Sequence, residues 1–259
     1  MEIKLEPNEM WWGGRVMDSA AMPYRAGSSG RFSLAPNDES NQAQPLLISN
    51  RARFVWNEQP FDFEIADDVL KLTGPEPWVV GTAGDSLRDV YREAARRFFP
   101  SGGRLPAPEL FTRPQYNTWI ELLYDQREER ILAYARSLVE QGYPPGVLMI
   151  DDNWEEDYGE WEFSARRIPH PRRLVRELKG MGFKVMLWVC PFVSPDGEMY
   201  RDLEKRGFLL REAVVDANGQ RARSCPAIVR WWNGASAVLD LSHPEARVWF
   251  KAQLDRLVA

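Results

Sequence analysis

The second half of the chain alternates apolar segments with amphipathic ones, and this alternation is the strongest constraint on the fold. GVLMI at 146–150 and FKVMLWVCPF at 183–192 have the composition of buried β-strands. We predict an earlier strand in NTWIELL at 117–123 and a short later one in SAVLDL at 236–241. Strands that alternate with helices favour a parallel sheet with helical crossovers. The predicted fold class is therefore α/β, a (β/α)8 TIM-type barrel of which this chain forms a part.

Amphipathic segments between and after these strands predict helices. They lie at 125–142, 171–182 and 242–259. The first has a capping-box pattern from Asp125 to Glu128, and the last has Ser242 and Glu245 at the same spacing. We therefore expect each of these two helices to begin at its capping box.

Residues 1–108 have a different composition, with many Gly, Pro, Asn and Ser residues between short apolar runs. FDFEIADDVLKL, for example, alternates apolar and polar residues in the manner of strands with one solvated face. The segment 86–99 predicts a connecting helix, and a turn-rich linker follows it. We therefore predict a β-rich N-terminal domain at 1–108 and the first part of the barrel at 109–259.

Charge and cysteine content argue against several function classes. The formal net charge of −5 over 259 residues gives no broad basic face, so we predict neither a nucleic-acid nor a membrane partner. The two cysteines, Cys190 and Cys225, exclude a disulfide framework and favour a reducing, cytoplasmic location. With only His170 and His243 beside them they make a poor metal set, and no phosphate-binding glycine motif occurs. We predict no metal and no cofactor.

Two adjacent carboxylates, Asp151 and Asp152, follow the strand GVLMI directly. In a β/α barrel the active site gathers at the C-terminal ends of the strands. Neighbouring residues of a strand point to opposite sides, so at most one of the pair projects directly into a central site. We expect this to be Asp151, provided that Met149 points inward with it. The alternative is that one Asp caps the following turn and the other is solvated.

Tryptophans are unusually frequent, with 11 in the chain, and several of them fall near the same rim. Trp188 lies near the end of the next predicted strand, and Trp231 and Trp232 lie in the segment after it. Indole faces beside carboxylates suit a sugar, whose C–H surface stacks on the ring while its hydroxyls donate to the acids. The alternative for Trp188 is a plain core position.

Three segments, GVLMIDDNWEEDYGEWEF, FKVMLWVCPFVSPDG and IVRWWNGASAVLDLSHPEARVWF, resemble in this order the catalytic barrel of glycoside hydrolase family 31. The resemblance covers about 115–259. WWGG at 11–14 and LLISNRARFVWNEQPF at 46–61 are similar to the β-sandwich that precedes that barrel. The resemblance implies a retaining α-glycosidase that acts on O-glycosyl bonds, of α-glucosidase, α-galactosidase or α-xylosidase type. A related α-galactosidase clan also has strand-end Asp-Asp pairs, but WWNGASAVLDLSHPEA favours family 31.

The same resemblance implies roles for five residues of this chain. The acid at the position of Asp151 contacts hydroxyls of the sugar, and tryptophans matching Trp188 and Trp232 wall the subsite. Asp152 and Trp154 are further candidates for substrate binding. All five are predicted as substrate-binding residues, and none as the catalytic pair.

The catalytic pair itself is not identifiable in the sequence. A retaining glycosidase needs two carboxyl groups only ~5 to 5.5 Å apart, and adjacent residues of one strand diverge too much to straddle a glycosidic bond. The resemblance places the nucleophile on the strand after the helix at 242–259 and the acid/base later still. We therefore expect both beyond Ala259, and we expect the chain alone to be an incomplete, inactive enzyme. RIPHP at 167–171 departs from the family pattern, which we expect to alter a loop rather than the chemistry.

A second function class stays open, namely a carbohydrate-binding or scaffold protein derived from such a barrel. It predicts binding without turnover. A partial barrel leaves unpaired strand edges, so we expect self-association or a complementing chain in addition to an α-glycoside substrate.

Overall fold

The computed structural model describes residues 1–28, 30–35, 42–215 and 221–258. The chain divides into two compact units, Met1–Arg104 and Leu105–Ala259. Among the described residues, no helix has the length and apolar character needed to cross a membrane.

The first unit is built from short antiparallel strands and one long helix. Its elements are β1 (Glu2–Lys4), β2 (Met10–Arg15), a 3-10 helix (Val16–Ala21), β3 (Tyr24–Arg25), β4 (Arg31–Ser33), β5 (Ala43–Ser49), β6 (Arg53–Trp56), β7 (Asp62–Ala66), β8 (Val69–Thr73), β9 (Val79–Thr82) and α1 (Leu87–Phe98). The strands form two sheets, one in the order β1-β8-β7-β4 and the other in the order β3-β2-β5-β6-β9. This is the β-rich, sandwich-like arrangement predicted from the sequence.

The inner faces of these two sheets share one apolar cluster. Trp11, Leu47 and Val55 come from the second sheet and Phe63 and Leu70 from the first, and all are almost fully buried. Every second residue of β7 and β8 is buried, as the apolar-polar alternation predicted. The predicted connecting helix is confirmed as α1, with the Ser86 side chain accepting a hydrogen bond from the Asp89 amide at its first turn.

The second unit begins with a parallel α/β segment and continues with antiparallel hairpins. Its elements are α2 (Glu109–Thr112), β10 (Gln115–Asn117), α3 (Trp119–Leu122), α4 (Glu128–Glu140), β11 (Val147–Ile150), β12 (Glu155–Asp157), β13 (Glu160–Phe163), α5 (Pro171–Gly180), β14 (Lys184–Leu187), β15 (Phe192–Val193), α6 (Glu198–Arg206), β16 (Arg211–Val215), β17 (Arg221–Pro226), β18 (Ile228–Trp231), β19 (Gly234–Val238) and α7 (Pro244–Val258). Strands β10, β11 and β14 pair in parallel, which is the start of the predicted β/α barrel.

The two faces of this parallel sheet differ in their surroundings. On one face Leu148 and Ile150 are fully buried, in the same apolar cluster as Ile131 of α4 and Leu174 of α5. On the other face Asn117, Met149 and Met186 stand in register across the three strands, and each is only partly buried. The amphipathic helices therefore cover one face of the sheet. The other face carries Asn117, Met149 and Met186, and Asn117 lies at the end of its strand.

The structure corrects the prediction that NTWIELL is a strand. The strand begins earlier, at Gln115, and ends at Asn117. The Asn117 side chain accepts a hydrogen bond at 2.7 Å from the Trp119 amide, and the chain turns into the short helix α3. This hydrogen bond between a side chain and a nearby backbone amide competes with the ladder hydrogen bonds that would continue the strand.

Both predicted capping boxes are wrong. Asp125 bonds instead to the Arg127 guanidinium at 2.6 Å, and α4 begins without a side-chain cap. At the start of α7, the Ser242 hydroxyl donates to Asp240, and His243 Nδ1 accepts the Ala246 amide at 3.4 Å. In each case a nearer partner satisfies the side chain that the spacing had assigned to the cap.

Two predicted strands also differ in detail. The apolar run at 183–192 is divided into β14 and the start of β15. Only residues 236–238 of the predicted strand at 236–241 lie in a strand, at the end of β19, and β19 pairs antiparallel with β15 and β18 and not with the parallel sheet. Strand β15, which follows β14, pairs with β19. The hairpin of β18 and β19 is thus attached to the segment after β14, near the strand ends where the site was predicted.

Candidate functional site

The carboxyl ends of the three parallel strands bring together the first group of candidate residues. Asn117 ends β10, Asp151 follows β11 and Trp188 follows β14. Ile150 pairs with Leu187, and the Trp188 amide donates to the Ile150 carbonyl at 2.9 Å. Because residues two apart share a face of a strand, Asp151 lies on the Met149 face, as the sequence analysis required for a site residue.

Asp151 is held by its neighbours in one orientation. Asn117 Nδ2 donates to Asp151 Oδ2 at 2.5 Å, and the Asp152 amide donates to Asp151 Oδ1 at 2.8 Å. The Asp151 amide donates to Thr118 Oγ1 at 3.0 Å, and this hydroxyl donates in turn to the buried Gln126. The side chain keeps a small exposed fraction, 8%, so it is a preorganised acceptor at the edge of solvent.

Asn117 was not among the site residues predicted from the sequence. Its position at the end of the preceding parallel strand is a signal that could have identified it, but the strand was placed across 117–123 rather than ending at Asn117.

Asp152 points into the protein. It is fully buried, and its Oδ2 accepts hydrogen bonds from the Tyr158 hydroxyl at 2.7 Å and from Asn233 Nδ2 at 3.3 Å. Its Oδ1 accepts the Asn153 amide at 2.7 Å. Burial raises the pKa of Asp152, and burial together with this carboxylate raises the pKa of the Tyr158 hydroxyl. Contact of Asp152 with a substrate stays a prediction, because the side chain is fully buried in this structure.

Trp154 is also enclosed by protein. Its indole is fully buried and packs against Phe163 with ring centroids 5.0 Å apart. Its Nε1 donates to the Trp188 carbonyl at 2.7 Å. The residue therefore fixes the backbone that carries Trp188, and its predicted contact with substrate stays a prediction.

Aromatic side chains form a connected rim that includes Trp188, the residue that follows β14. Trp232 is 62% exposed, and its ring lies 5.5 Å from Trp119 and 5.2 Å from Trp231. Trp231 also contacts Tyr158, whose ring lies 6.5 Å from the partly exposed Trp188. Trp188 and Trp232 are thus joined through a chain of edge-to-face contacts, and Trp119 and Tyr158 are members that the sequence analysis did not name.

A third carboxyl group, Glu155, is also buried. It is 3% exposed, and its Oε2 has no hydrogen-bond partner in the described part of the chain. Burial raises the pKa of Glu155 to about 8, and repulsion from Asp152 contributes in the same direction. Burial likewise raises the pKa of the nearby Cys190 thiol to about 12. A carboxyl group with a pKa of about 8 is mostly protonated at pH 7, so Glu155 adds little negative charge to this buried zone.

The arrangement offers binding chemistry more directly than bond cleavage. The Asp151 carboxylate is preorganised and keeps a small exposed fraction, and the partly exposed Trp188 follows the adjacent strand, which suits a polyhydroxylated ligand with an apolar face. Within the described ranges, no group of three or more His, Cys, Asp or Glu side chains is arranged to hold a metal ion.

Comparisons with known proteins identify the family to which the chain is similar. The profile of the glycosyl hydrolases family 31 TIM-barrel domain matches residues 108–259. The chain is 33% identical over 174 residues to the mouse myogenesis-regulating glycosidase, covering 67% of this chain and 23% of that protein. It is 33% identical to an α-galactosidase of Geobacillus stearothermophilus, covering 63% of this chain and 22% of that protein.

A solved structure shows the same fold. The family 31 α-xylosidase from a soil metagenome, complexed with xylose, aligns with a TM-score of 0.74 at 21% identity. The alignment covers 98% of this chain and 35% of the xylosidase. The present chain therefore spans about a quarter to a third of the length of these relatives.

Proposed function

The chain belongs to glycoside hydrolase family 31, and we propose that it contributes a sugar-binding subsite to a retaining α-glycosidase acting on O-glycosyl bonds. The observation that carries this proposal is the hydrogen bond from Asn117 to Asp151 at 2.5 Å, with Trp188 on the neighbouring strand. It presents an oriented carboxylate next to an indole, which is the combination that sugar recognition needs.

In this proposal Asp151 accepts hydrogen bonds from hydroxyl groups of the sugar, while Trp188 and Trp232 provide apolar walls. Asp152 and Trp154 act from beneath the surface, because protein encloses both side chains. The ligand is an α-glycoside of gluco, galacto or xylo configuration, on the analogy of relatives named α-xylosidase, α-galactosidase and α-glucosidase. No cofactor is required for such a reaction.

We assign neither nucleophile nor acid/base to residues 1–259. A retaining enzyme needs two carboxyl groups ~5 to 5.5 Å apart on either side of the scissile bond. Asp152 is enclosed by Tyr158 and Asn233, and Glu155 is buried, so neither pairs with Asp151 across a bound sugar. The second candidate function is a carbohydrate-binding or scaffold protein that binds sugar without turnover.

The proposal extends to partners and location. The partners are an α-glycoside and, through open strand edges, a second copy or a complementing chain. Neither nucleic acid nor membrane is among them, given the net charge of −5. A reducing, cytoplasmic location is supported by the two free cysteines, Cys190 and Cys225.

Sugar binding and turnover on the purified chain test the proposal. Calorimetric titration with glucose, galactose and xylose is expected to show binding, and Asp151→Asn is expected to weaken it roughly tenfold or more, since a charge-assisted hydrogen bond contributes about 1.5 to 3 kcal/mol. Asp196→Asn, at an exposed site, is the matched control. Equal affinity in the Asp151 variant would remove this residue from the site. Release of nitrophenol from aryl α-glycosides by the purified chain would contradict the statement that residues 1–259 contain neither the nucleophile nor the acid/base.

A further inference from the structure

Asn233 connects three separate segments of the second unit through its side-chain amide. It lies in the turn between β18 and β19, where Trp231 pairs with Gly234, so Trp232 and Asn233 are the two turn residues. Side chains on so short a turn normally point to solvent. Asn233 is instead half-buried against the strand-end loops.

Both the oxygen and the nitrogen of the Asn233 side-chain amide form hydrogen bonds. Asn233 Oδ1 accepts a hydrogen bond from the Tyr124 hydroxyl at 3.2 Å, and Nδ2 donates to Asp152 Oδ2 at 3.3 Å. Nδ2 also donates to the Tyr158 hydroxyl, which itself donates to Asp152. Tyr124 follows α3, and Asp152 and Tyr158 lie in the segment after β11. The Asn233 side chain therefore joins the segments after two barrel strands, β10 and β11, to the hairpin.

The chemistry of these partners selects an amide. Asp152 and the Tyr158 oxygen need a donor, while the Tyr124 hydroxyl needs an acceptor. A flipped amide would place its oxygen against the Asp152 carboxylate, so the observed orientation is the one that satisfies every group. A carboxylate at this position would face a second carboxylate, and an apolar side chain would leave the buried Asp152 with fewer donors.

We propose that Asn233 is a positioning residue, which holds the turn so that the exposed Trp232 indole stands against Trp119 at the rim of the sugar site. The statement that this rim belongs to a sugar site rests on the proposed function. The anchoring itself does not, since it depends only on contacts within the protein. Trp232 is the neighbour of Asn233 and is 62% exposed, so few other contacts fix its place.

The first test measures the hairpin without any sugar. Amide hydrogen exchange of residues 228–238 is compared in the unmodified chain, in Asn233→Asp and in Tyr124→Phe, with Tyr143→Phe as the matched control at an exposed tyrosine. We expect exchange about tenfold faster in Asn233→Asp at pH 8, a smaller increase in Tyr124→Phe, and none in the control. Unchanged protection of the hairpin in Asn233→Asp would overturn the proposal. Exchange of the β11 amides reports whether each variant is folded.

A pH series adds a signature that a general loss of packing would not give. Asn233→Asp places a carboxyl group beside Asp152, with Tyr158 and Tyr124 as its other hydrogen-bonded neighbours. Asp151, Glu155 and Arg167 also interact with the Asp152 carboxylate, and they are the same in the unmodified chain, which is measured at each pH. As the pH falls to 5, one carboxyl of this pair takes up a proton and can donate to the other. We expect hairpin protection in this variant to recover toward that of the unmodified chain. A difference that is the same at pH 5 and pH 8 would contradict the assignment.

Sugar titration then separates this proposal from the proposed function. If Asn233 positions the rim of a sugar site, Asn233→Asp weakens sugar binding at pH 8 and less so at pH 5. If the unmodified chain binds none of the sugars while the hairpin loosens as expected, the proposed function fails and the positioning role stands. If sugar binding is normal in a variant with a loosened hairpin, the rim does not take part in recognition and that part of the proposal is wrong.

Discussion

Asn117 and Asp151 meet at the ends of two adjacent parallel strands, with 2.5 Å between Asn117 Nδ2 and Asp151 Oδ2. The other end of the Asn117 amide accepts the Trp119 amide at 2.7 Å, so the side chain cannot rotate without losing a second bond. One residue thus both ends β10 and orients the carboxylate on β11.

Asn117→Ala tests this relationship. We expect it to weaken sugar binding by about tenfold, because Asp151 loses the donor that holds it in place. Calorimetric titration gives the affinity, and Gln141→Ala, at an exposed amide, controls for loss of an amide group elsewhere. Affinity equal to that of the control would show that Asp151 needs no orienting partner.

The sequence predicted those strands and helices whose own residues show a clear pattern of apolar positions. The strand β11 and the helix α5 follow from an apolar run and an amphipathic stripe, and Asp151 follows from its place after that strand. Asn117 was missed because β10 has only 3 residues and leads directly into α3. A strand so short has too few residues to show an alternation.

Long-range contacts explain the remaining differences. The role of Asn233 depends on Tyr124 and Asp152, which lie 109 and 81 positions away in the sequence. Nothing in the turn WWNG indicates that its asparagine points inward. In the same way, the enclosure of Asp152 by the Tyr158 hydroxyl depends on the path of the loop after β11, which periodicity does not determine.

Trp154 and Trp232 are expected to affect different properties. Trp154→Ala removes a fully buried indole and should lower the free energy of unfolding by ~3 to 5 kcal/mol. Trp232→Ala removes a side chain that is 62% exposed and should change stability by less than ~0.5 kcal/mol. It should instead weaken sugar binding by roughly threefold to tenfold. Urea denaturation and calorimetric titration measure the two effects, and a large loss of stability in Trp232→Ala would contradict the rim position.

Tyr158→Phe is expected to raise the pKa of Asp152 further. The hydroxyl donates to the ionised carboxylate at 2.7 Å and thereby opposes the effect of burial, which is the larger one. Titration of the Asp152 carboxyl carbon by NMR gives the midpoint in both proteins. A midpoint that stays in place or falls in the variant would show that the hydrogen bond does not stabilise the carboxylate.

The two thiols are expected to react at very different rates. Burial raises the pKa of Cys190 to about 12, whereas Cys225 is only half-buried. Because the thiolate is the reactive form, a disulfide reagent at pH 8 should modify Cys225 in the native protein and Cys190 only after denaturation. Mass spectrometry of the labelled peptides identifies the site. Rapid labelling of Cys190 in native buffer would show that the buried zone around Cys190 and Glu155 opens readily.

Glu155 should make the folded state less stable as the pH rises. Its pKa is raised from the ordinary 4.5 to about 8 by burial, so between these values the folded protein holds a proton that the unfolded chain has released. Unfolding then releases that proton, and stability falls with pH across this window by at most ~1.4 kcal/mol per pH unit. Glu155→Gln removes the titration, and its urea midpoint should decline less between pH 5 and pH 8 than that of the unmodified chain. Glu156→Gln, at the exposed neighbouring position, is the matched control and should decline in parallel with the unmodified chain. Parallel curves for all three proteins would show that Glu155 is ionised in the folded state, with a solvated or paired carboxylate in place of the buried neutral group.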